Sequence, residues 1–347
     1  MKPKHKTTID DVAELAGVSI KTVSRVVNRE PNVRDSTRDK VEKAVAKLNY
    51  RPNLSARSLA SHRSHIIVLV YDDPSAYELP SLGYVTSMQE GALRACRAAD
   101  CELLIHPCNY RDSNVTGEIR ALIARSRPHG VVLAAPLSNM PKIVNAITAT
   151  NTPLVRLSPG KKNGKQLSVV TNDREISAEM TRYLASLGHK RIAFITGHPR
   201  HKAVGNRYLG YQDGLKDSGL QFSEKLVVAG DNSYGSGVAA ATRLLESKNP
   251  PTAIFAANDD MAAGVLRAAD RLGFAVPERL SIAGWDDIAL ARQVYPELTT
   301  IRQPLSAMAE QAALALVGDG GDESERSGTE VVPATLQIRA STGPAPT

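Results

Sequence analysis

Polar and basic side chains cluster on one face of a short stretch near the N-terminus, VSIKTVSRVVN, which begins at Val18. Ile20, Lys21 and Arg25 lie together at helical spacing, and an arginine can bind guanine O6 and N7 with two hydrogen bonds. Hydroxyl and amide side chains suit phosphate oxygens, which position a protein on DNA without reading its sequence. We therefore predict a DNA-binding face made of Thr8, Ser19, Ile20, Lys21, Thr22, Ser24, Arg25 and Asn28.

A second group of polar side chains follows apolar runs much later in the chain. Asn258, Asp259 and Asp286 come at the ends of two such runs, where they are expected to face a cleft, and His201 and Arg207 follow a third. Carboxylates and the arginine fork match hydroxyl-rich or planar polar ligands. This pattern predicts a small-molecule site.

Catalysis is the alternative reading of the acidic pairs Asp259–Asp260 and Asp286–Asp287. No nucleophile or metal cluster accompanies them, and adjacent side chains point in different directions. The motifs GxGxxG, Walker A, HExxH and GxSxG are also missing from the sequence. We therefore expect a binding protein and not an enzyme. Trp285, the only tryptophan, either packs in the core or lies over a sugar or base ring.

The charge of the chain is concentrated in its first fifth. Residues 1–65 contain seven lysines and seven arginines against seven acidic residues, and this +7 is the net charge of the whole 347-residue chain. A basic module joined to a neutral remainder is typical of a nucleic-acid-binding head. A solvated basic tail, the other possibility, would lack the apolar periodicity found here.

Composition argues against several other classes of protein. No apolar run reaches about 18 residues, so no membrane span is expected. The basic N-terminus is not followed by an apolar segment, which argues against a secretory signal. The three cysteines predict reduced thiols in a cytoplasmic protein. Because no second Cys/His cluster has ligand spacing, we expect no metal and no cofactor.

The basic segment has the pattern of a helix-turn-helix. Ile9, Val12 and Ala13 recur at helical spacing, and Gly17 suits the turn that ends the first helix. The second helix places Val23 against the first. A third stretch, TRDKVEKAVAKLNY, closes a small core.

A short segment after Pro52 predicts a marginal helix. Asn53 can cap a segment of roughly residues 53–60, which is too short to be stable alone. Leu59 is an apolar residue among polar neighbours. It either makes an ordinary packing contact or enters a minor groove as a wedge.

From Ser64 onward, short apolar runs alternate with helical patterns, which indicates an α/β fold. Two successive sets of βα units predict two doubly wound parallel sheets with a ligand cleft at the carboxyl ends of their strands. We expect a helix-turn-helix head at 1–51, a hinge at 52–63, a first subdomain at 64–158 and 300–325, and a second subdomain at 159–299 and 326–347.

The stretches TIDDVAELAGVSIKTVSRVVN and TRDKVEKAVAKLNYRPNLSARSLAS resemble the head and hinge of the lactose-repressor (LacI/GalR) family of bacterial transcriptional regulators. The later stretches SLGHKRIAFITG and VPERLSIAGWDDIALA resemble its body, which is similar to periplasmic sugar-binding proteins. The resemblance implies that the hinge folds on specific DNA and that Leu59 enters the minor groove. The hinge residues implied to contact DNA are Asn53, Ala56 and Leu59.

The resemblance also implies an effector site. Family members contact the effector through residues at the positions of Arg207, Asp286 and often Asn258. Two residues depart from common family patterns: Ser158 stands where many members have aspartate, and His201 where ring-binding members have other polar residues. The full predicted set is Asp72, Tyr77, Tyr84, Ser158, His201, Arg207, Asn258, Trp285 and Asp286.

The partners implied by the resemblance are a palindromic DNA operator, a small-molecule effector and a second copy of the chain. Because no leucine heptads follow Thr342, a homodimer is expected and not a tetramer. Family frequency favours a carbohydrate over a nucleobase. The expected function is that of a cytoplasmic repressor, and the rival is a solute-binding receptor without a DNA role.

Overall fold

The computed structural model describes residues 7–27, 33–50, 64–73, 75, 82–160, 166–318 and 327–347. The chain divides into two units, Met1–His65 and Ile66–Thr347, here called the head and the body. None of the helices in these described ranges is long and apolar enough to cross a membrane.

The described part of the head is helical and consists of α1 (Ile9–Ala16), α2 (Ile20–Val27) and α3 (Asp35–Leu48). Thr8 begins α1 with a reciprocal cap, because its backbone N–H donates to Asp11 Oδ2 at 2.7 Å and its hydroxyl accepts from the Asp11 backbone N–H at 3.4 Å. Gly17 ends α1 with φ +65°, which glycine adopts without steric cost. The turn predicted at this glycine is therefore confirmed.

The core of the head is made of small apolar residues. Val12, Val23 and Val41 come from the three helices and are fully buried. Ala13 and Val26 pack beside them in the same cluster. This contact between α1 and α2 fixes the second helix, as the apolar spacing predicts.

In the described part of the body, six parallel strands form the first sheet, in the order β11-β5-β4-β3-β1-β2. Ile67 and Leu69 of β1 pack in one core cluster, and Val68 and Val70 pack in another on the opposite face. Both faces of the sheet are therefore buried. Its strands are β1 (Ile66–Asp72), β2 (Glu102–Cys108), β3 (Gly130–Leu133), β4 (Leu154–Leu157), β5 (Leu167–Val170) and β11 (Thr329–Val331), and its helices are α4 (Gly83–Ala98), α5 (Val115–Ser126), α6 (Pro141–Thr148) and α12 (Leu305–Val317).

Four further strands of the described chain form a second parallel sheet, in the order β7-β6-β8-β9. Its core contains the aromatic residues Phe194, Tyr211, Phe255 and Trp285. Two short strands, β10 (Thr300–Arg302) and β12 (Thr335–Gln337), pair antiparallel beside it. The remaining elements are β6 (Ile192–Thr196), β7 (Val227–Ala229), β8 (Ala253–Ala256), β9 (Ser281–Ala283), α7 (Asp173–Ser186), α8 (Lys202–Asp217), α9 (Tyr234–Leu245), α10 (Asp259–Arg271) and α11 (Leu290–Gln293).

The predicted subdomain boundaries at 158 and 325 are wrong. Strand β5 pairs with β4, with Val155 opposite Leu167, and β11 pairs with β5, with Thr329 opposite Ser168. The first subdomain therefore extends through β5 and includes β11. No helix separates β4 from β5 in the described residues, so the alternation of strands and helices could not show that both belong to one sheet.

The boundary at residue 300 is also displaced. Strand β10 pairs with β12, and Ile301 packs in the core of the second subdomain. The chain thus returns to the first subdomain only after β10, with α12, and crosses back between β11 and β12.

Two glycine-to-alanine changes test the packing of the body. A Cβ at Gly91 in α4 would lie 1.9 Å from the backbone oxygen of Ser306, whereas a Cβ at Gly205 in α8 would meet no described atom within 4 Å. We expect Gly91→Ala to lower the free energy of unfolding by about 1–3 kcal/mol. Gly205→Ala, the matched control, should leave it unchanged or raise it by up to about 1 kcal/mol. Urea unfolding of both variants measures this difference, and equal effects would contradict the close contact.

Candidate DNA-binding face and effector-binding site

The outer face of α2 carries most of the predicted DNA-contacting residues of the head. Ser19 and Lys21 are exposed, and Ile20 is 48% exposed although it is a large apolar residue. Thr22, Ser24 and Arg25 are half-buried on the same helix. An exposed isoleucine beside a lysine suits a major groove, because apolar side chains contact the thymine methyl group there.

Two of the predicted DNA contacts also hold the local structure. The Ser19 hydroxyl accepts from the Thr22 backbone N–H at 3.2 Å, so Ser19 caps the start of α2. Thr8 caps α1 through Asp11. Both side chains stay exposed, so each can also accept or donate a bond to DNA. Four predicted residues lie outside the described residues: Asn28, Asn53, Ala56 and Leu59.

Arg207 is the central charge of the body. Its side chain projects from α8, and the residue is only 6% exposed. Its guanidinium donates to Asp173 Oδ1 at 3.2 Å, to the Ala257 carbonyl at 2.5 Å and to Gln303 Oε1 at 3.3 Å. The guanidinium also lies 4.3 Å from the centre of the Trp285 ring. Three polar partners and an aromatic face therefore compensate the burial of this cation.

Arg207 opens onto a cavity between the two subdomains of the body, with an open volume of about 920 Å³ including its mouth. Seven predicted residues line this cavity: Asp72, Tyr84, Ser158, His201, Arg207, Asn258 and Asp286. Tyr77 lies outside the described residues. The structure therefore brings together residues from positions as far apart as 72 and 286.

Of the two roles predicted for Trp285, packing in the core and stacking on a ligand ring, the structure shows the first. Trp285 is fully buried, and among the described residues it is absent from the lining of the cavity. Its indole N–H donates to Gln303 Oε1 at 3.3 Å, and its ring stacks on Phe255. Trp285 thus packs in the core of the second subdomain and contacts Arg207 there.

The prediction that Asp259 faces the cleft is wrong, because this residue is absent from the described lining of the cavity. It is fully buried, and it accepts bonds from the Ile288 backbone N–H at 3.0 Å and from the Thr300 hydroxyl at 2.6 Å. Asp260, its neighbour, lines the cavity instead. Adjacent side chains at the start of a helix point in different directions, and this decides which carboxylate meets a ligand.

Several lining residues were not found from the sequence. Most are apolar or small, and nothing in their spacing distinguishes them from core residues. Asn232 and Ser233 could have been found, because they follow the strand β7 as Asn258 follows β8. The missed residues are Tyr71, Val85, Met88, Ala135, Ala203, Val204, Asn232, Ser233 and Asp260.

Asp286 is the most unusual side chain of the cavity. Burial raises the pKa of its carboxyl to about 7; Arg207 opposes this rise, and Asp260 and Asp173 add to it. Its Oδ1 is buried and receives no hydrogen bond within the described chain. Its backbone φ of +114° is rare for a side-chain-bearing residue. The buried acceptor therefore suits a donor supplied by a ligand.

Two side chains that line the cavity with Asp286, the imidazole of His201 and the phenol of Tyr84, are neutral. Burial lowers the pKa of His201 to about 3, with added repulsion from Arg207 and His198, and His201 Nε2 has no hydrogen-bond partner in the described structure. Burial also raises the pKa of Tyr84, which shares a side-chain hydrogen bond with Ser158. A neutral imidazole and a phenol can each exchange a hydrogen bond with a hydroxyl group.

Asn258 has a structural role in addition to its place in the cavity. Its Oδ1 accepts from the Met261 backbone N–H at 3.0 Å, which caps α10, and its Nδ2 donates to the Asn232 carbonyl at 2.9 Å. The amide thereby holds the ends of β7 and β8 together at the wall of the cavity.

A helix-turn-helix head and a body of two parallel sheets around a polar cavity define a DNA-binding transcriptional regulator with a periplasmic-binding-protein-like body. Residues 8–53 match the profile of bacterial regulatory proteins of the lacI family, and residues 181–342 match a periplasmic binding protein-like domain. The transcriptional regulator DegA of Bacillus subtilis (strain 168) is 33% identical over 343 residues, which cover 98% of this chain and 99% of DegA. The chain belongs to the LacI family.

Other relatives agree with this assignment. Catabolite control protein A of Priestia megaterium is 32% identical, covering 96% of this chain and 99% of that protein. The lac repressor dimer bound to operator and the anti-inducer ONPF has a TM-score of 0.81 at 27% identity and covers 97% of this chain and 99% of the repressor. The CelR–cellobiose complex has a TM-score of 0.73 at 28% identity and covers 96% and 99%. The fold class and the expectation of a regulator and not an enzyme are confirmed by these relatives.

The raised pKa of Asp286 predicts a pH-dependent stability. The unfolded carboxyl titrates near pH ~3.9 and the folded one near 7, so the folded state holds this proton more strongly. Stability from this group is therefore lost as the pH rises between these values. We expect the free energy of unfolding of Asp286→Asn, relative to the wild type, to increase from about pH 5 to about pH 8.

Urea unfolding at both pH values measures this change. Asp213→Asn is the matched control, because its carboxyl is partly exposed and its bond to Arg174 lowers its pKa. Its difference from the wild type should stay flat over the same range. A flat difference for Asp286→Asn would contradict the raised pKa.

Proposed function

We propose that this protein is a ligand-controlled transcriptional repressor that binds a palindromic operator as a homodimer. The observation that carries the proposal is the presence, in one chain, of an exposed basic helix in the head and of a buried, unsatisfied Asp286 in the cavity of the body. A groove-reading helix needs DNA, and a buried acceptor needs a donor. Acting on chromosomal DNA would place the protein in the cytoplasm.

The DNA half of the proposal assigns roles to residues of the head and hinge. Ile20, Lys21 and Arg25 contact base edges, and Thr22 and Ser24 contact phosphates together with Thr8, Ser19 and Asn28. An isologous dimer presents two such helices to two half-sites. Asn53, Ala56 and Leu59 make the minor-groove contacts of the hinge.

The effector half rests on the polar groups of the cavity. Three carboxylates, Asp72, Asp260 and Asp286, line it with a single arginine, Arg207. This excess of acceptors favours an uncharged ligand rich in hydroxyl donors over an anionic ligand. We therefore propose a sugar or sugar derivative, as in the cellobiose complex of CelR; we favour it over a nucleobase because a sugar carries more hydroxyl donors.

Control of DNA binding by the ligand is expected because both subdomains contribute residues to the cavity. Asp72, Tyr84 and Ser158 belong to the first subdomain, whereas His201, Arg207, Asn258 and Asp286 belong to the second. A ligand that bonds to both sides favours the closed arrangement by its difference in affinity for the two states. Closure would then change the DNA affinity of the dimer.

A selection from random DNA duplexes tests the DNA half. We expect the wild type to enrich one palindrome and Arg25→Ala to enrich the same palindrome with one relaxed base pair in each half-site, a loss of about 1–3 kcal/mol of discrimination. The control Lys43→Ala removes one charge from the exposed face of α3, and this variant should enrich the same palindrome as the wild type. Recovery of random sequence by the wild type would refute the proposal.

A thermal-shift screen of sugars and nucleobases tests the effector half. For a ligand found there, Tyr84→Phe should weaken binding by about tenfold, because it removes one buried hydroxyl bond. Tyr208→Phe, a half-buried tyrosine outside the cavity lining, should bind as the wild type does. Calorimetric titration measures both affinities, and equal affinities for both variants would place the ligand elsewhere.

A further inference from the structure

Three side chains with metal-ligand chemistry converge at the end of β2, outside the cavity lining and the head. His106 Nε2 lies 2.9 Å from Glu118 Oε1, and Cys108 Sγ lies 3.8 Å from the same oxygen. All three candidate ligand atoms lie within 4.8 Å of one another. Neither the DNA-binding face nor the effector site accounts for this cluster.

The backbone explains why these side chains meet. Residues 106 and 108 are two apart on β2, so their side chains project from the same face of the strand. Glu118 comes from the first turns of α5, which packs against that face. The strand end is fixed by β1, because Asp72 pairs with Cys108 and the Asp73 backbone N–H donates to the Cys108 carbonyl at 3.0 Å. The cluster is therefore held by regular structure and not by a loop.

We propose that His106, Cys108 and Glu118 form a zinc-binding site. Imidazole, thiolate and carboxylate are the three side-chain ligands of Zn²⁺ in proteins, at about 2.0–2.3 Å from the metal. Tetrahedral coordination at these lengths separates neighbouring ligand atoms by about 3.3–3.8 Å. The Sγ–Oε1 distance already has this value, and the Nε2–Oε1 distance must open by a few tenths of an ångström. The Nε2–Sγ distance, which is within 4.8 Å, must close by up to about 1 Å when the metal binds.

An ordinary ion pair explains the cluster less well. His106 Nε2 is buried, and within the described chain it receives no hydrogen bond of acceptable geometry, although it faces Glu118 closely. The Cys108 thiol donates to Glu118 Oε1, whereas the ring nitrogen of His106 faces the same oxygen and stays unsatisfied. Glu118 is 41% exposed, which leaves a route for the metal and a position for a water as fourth ligand.

Zinc binding requires the Cys108 thiol to lose its proton. Burial, together with Glu118, raises the pKa of the Cys108 thiol to about 12, so the thiol is protonated without metal. Coordination converts S–H to a zinc-bound thiolate and releases the proton to solvent. A sequence search for paired Cys/His spacing misses this site, because Glu118 lies on the next helix and only the fold brings it near.

The site would also act on the effector cavity. Asp72 lines the cavity and is the β1 partner of Cys108. A metal that ties β2 to α5 would therefore stiffen the strand end that carries a cavity carboxylate. Zinc would raise the thermal stability of the protein, because it binds the folded state.

Cobalt titration of the untagged full-length protein tests the proposal. We expect one Co²⁺ per chain with a thiolate-to-cobalt charge-transfer band, which added Zn²⁺ abolishes. Cys108→Ser should lose the band. Cys101→Ser, a half-buried cysteine outside the cluster, should retain it. Absence of the band in the wild type, or its persistence in Cys108→Ser, would overturn the proposal.

A second variant, at the half-exposed residue Glu118, tests the site even if Cys108→Ser fails to fold. Glu118→Gln keeps the size of a half-exposed side chain, so its far-ultraviolet circular dichroism should match the wild type. Its Zn²⁺ affinity, measured by competition with a chelating dye, should fall by at least about tenfold. An unchanged affinity would show that Glu118 is not a ligand and would refute the three-residue site.

Discussion

The body depends on the burial of one cation, the guanidinium of Arg207. A buried charge is tolerated only when its surroundings compensate it, and here three polar groups and one aromatic ring from four separate parts of the chain do so. Asp173 begins α7, Ala257 follows β8, Gln303 follows β10 and Trp285 follows β9. Arg207 therefore ties together the strand ends that form one wall of the cavity. Removal of its charge would leave Asp173 buried without its ion-pair partner.

The same cation controls the electrostatics of the cavity. It opposes the rise in the pKa of Asp286 and adds to the fall in the pKa of His201. Burial acts on both groups in the direction of neutrality, so the two side chains can meet an uncharged ligand as hydrogen-bonding groups. Burial therefore reduces the charge that Asp286 and His201 bring to the cavity, which favours a ligand that binds through hydroxyl groups.

In the head, the single helix α2 both packs against the core and presents the predicted DNA-binding residues. The small core of the head leaves Ile20 and Lys21 exposed on α2 while Val23 and Val26 hold that helix in place. The helix can do both because its 3.6-residue period places the apolar residues on one face and the polar residues on the other. For this reason the three helices of the described part of the head could be predicted from its residues, including the glycine turn after the first helix.

The sequence by itself determined the fold class and the order of strands and helices, because local periodicity is written in neighbouring residues. Of the seven predicted residues that line the cavity, four follow apolar runs, and the family resemblance implied the other three. Tertiary structure decided the rest. The boundary errors at 158 and 325 arose because strand pairing is a long-range property, and the roles of Trp285 and Asp259 depended on which side of a strand end each side chain faces. The meeting of Glu118 with Cys108 likewise required the packing of α5 on β2, because contacts between elements are set by burial of their shared faces and not by spacing along the chain.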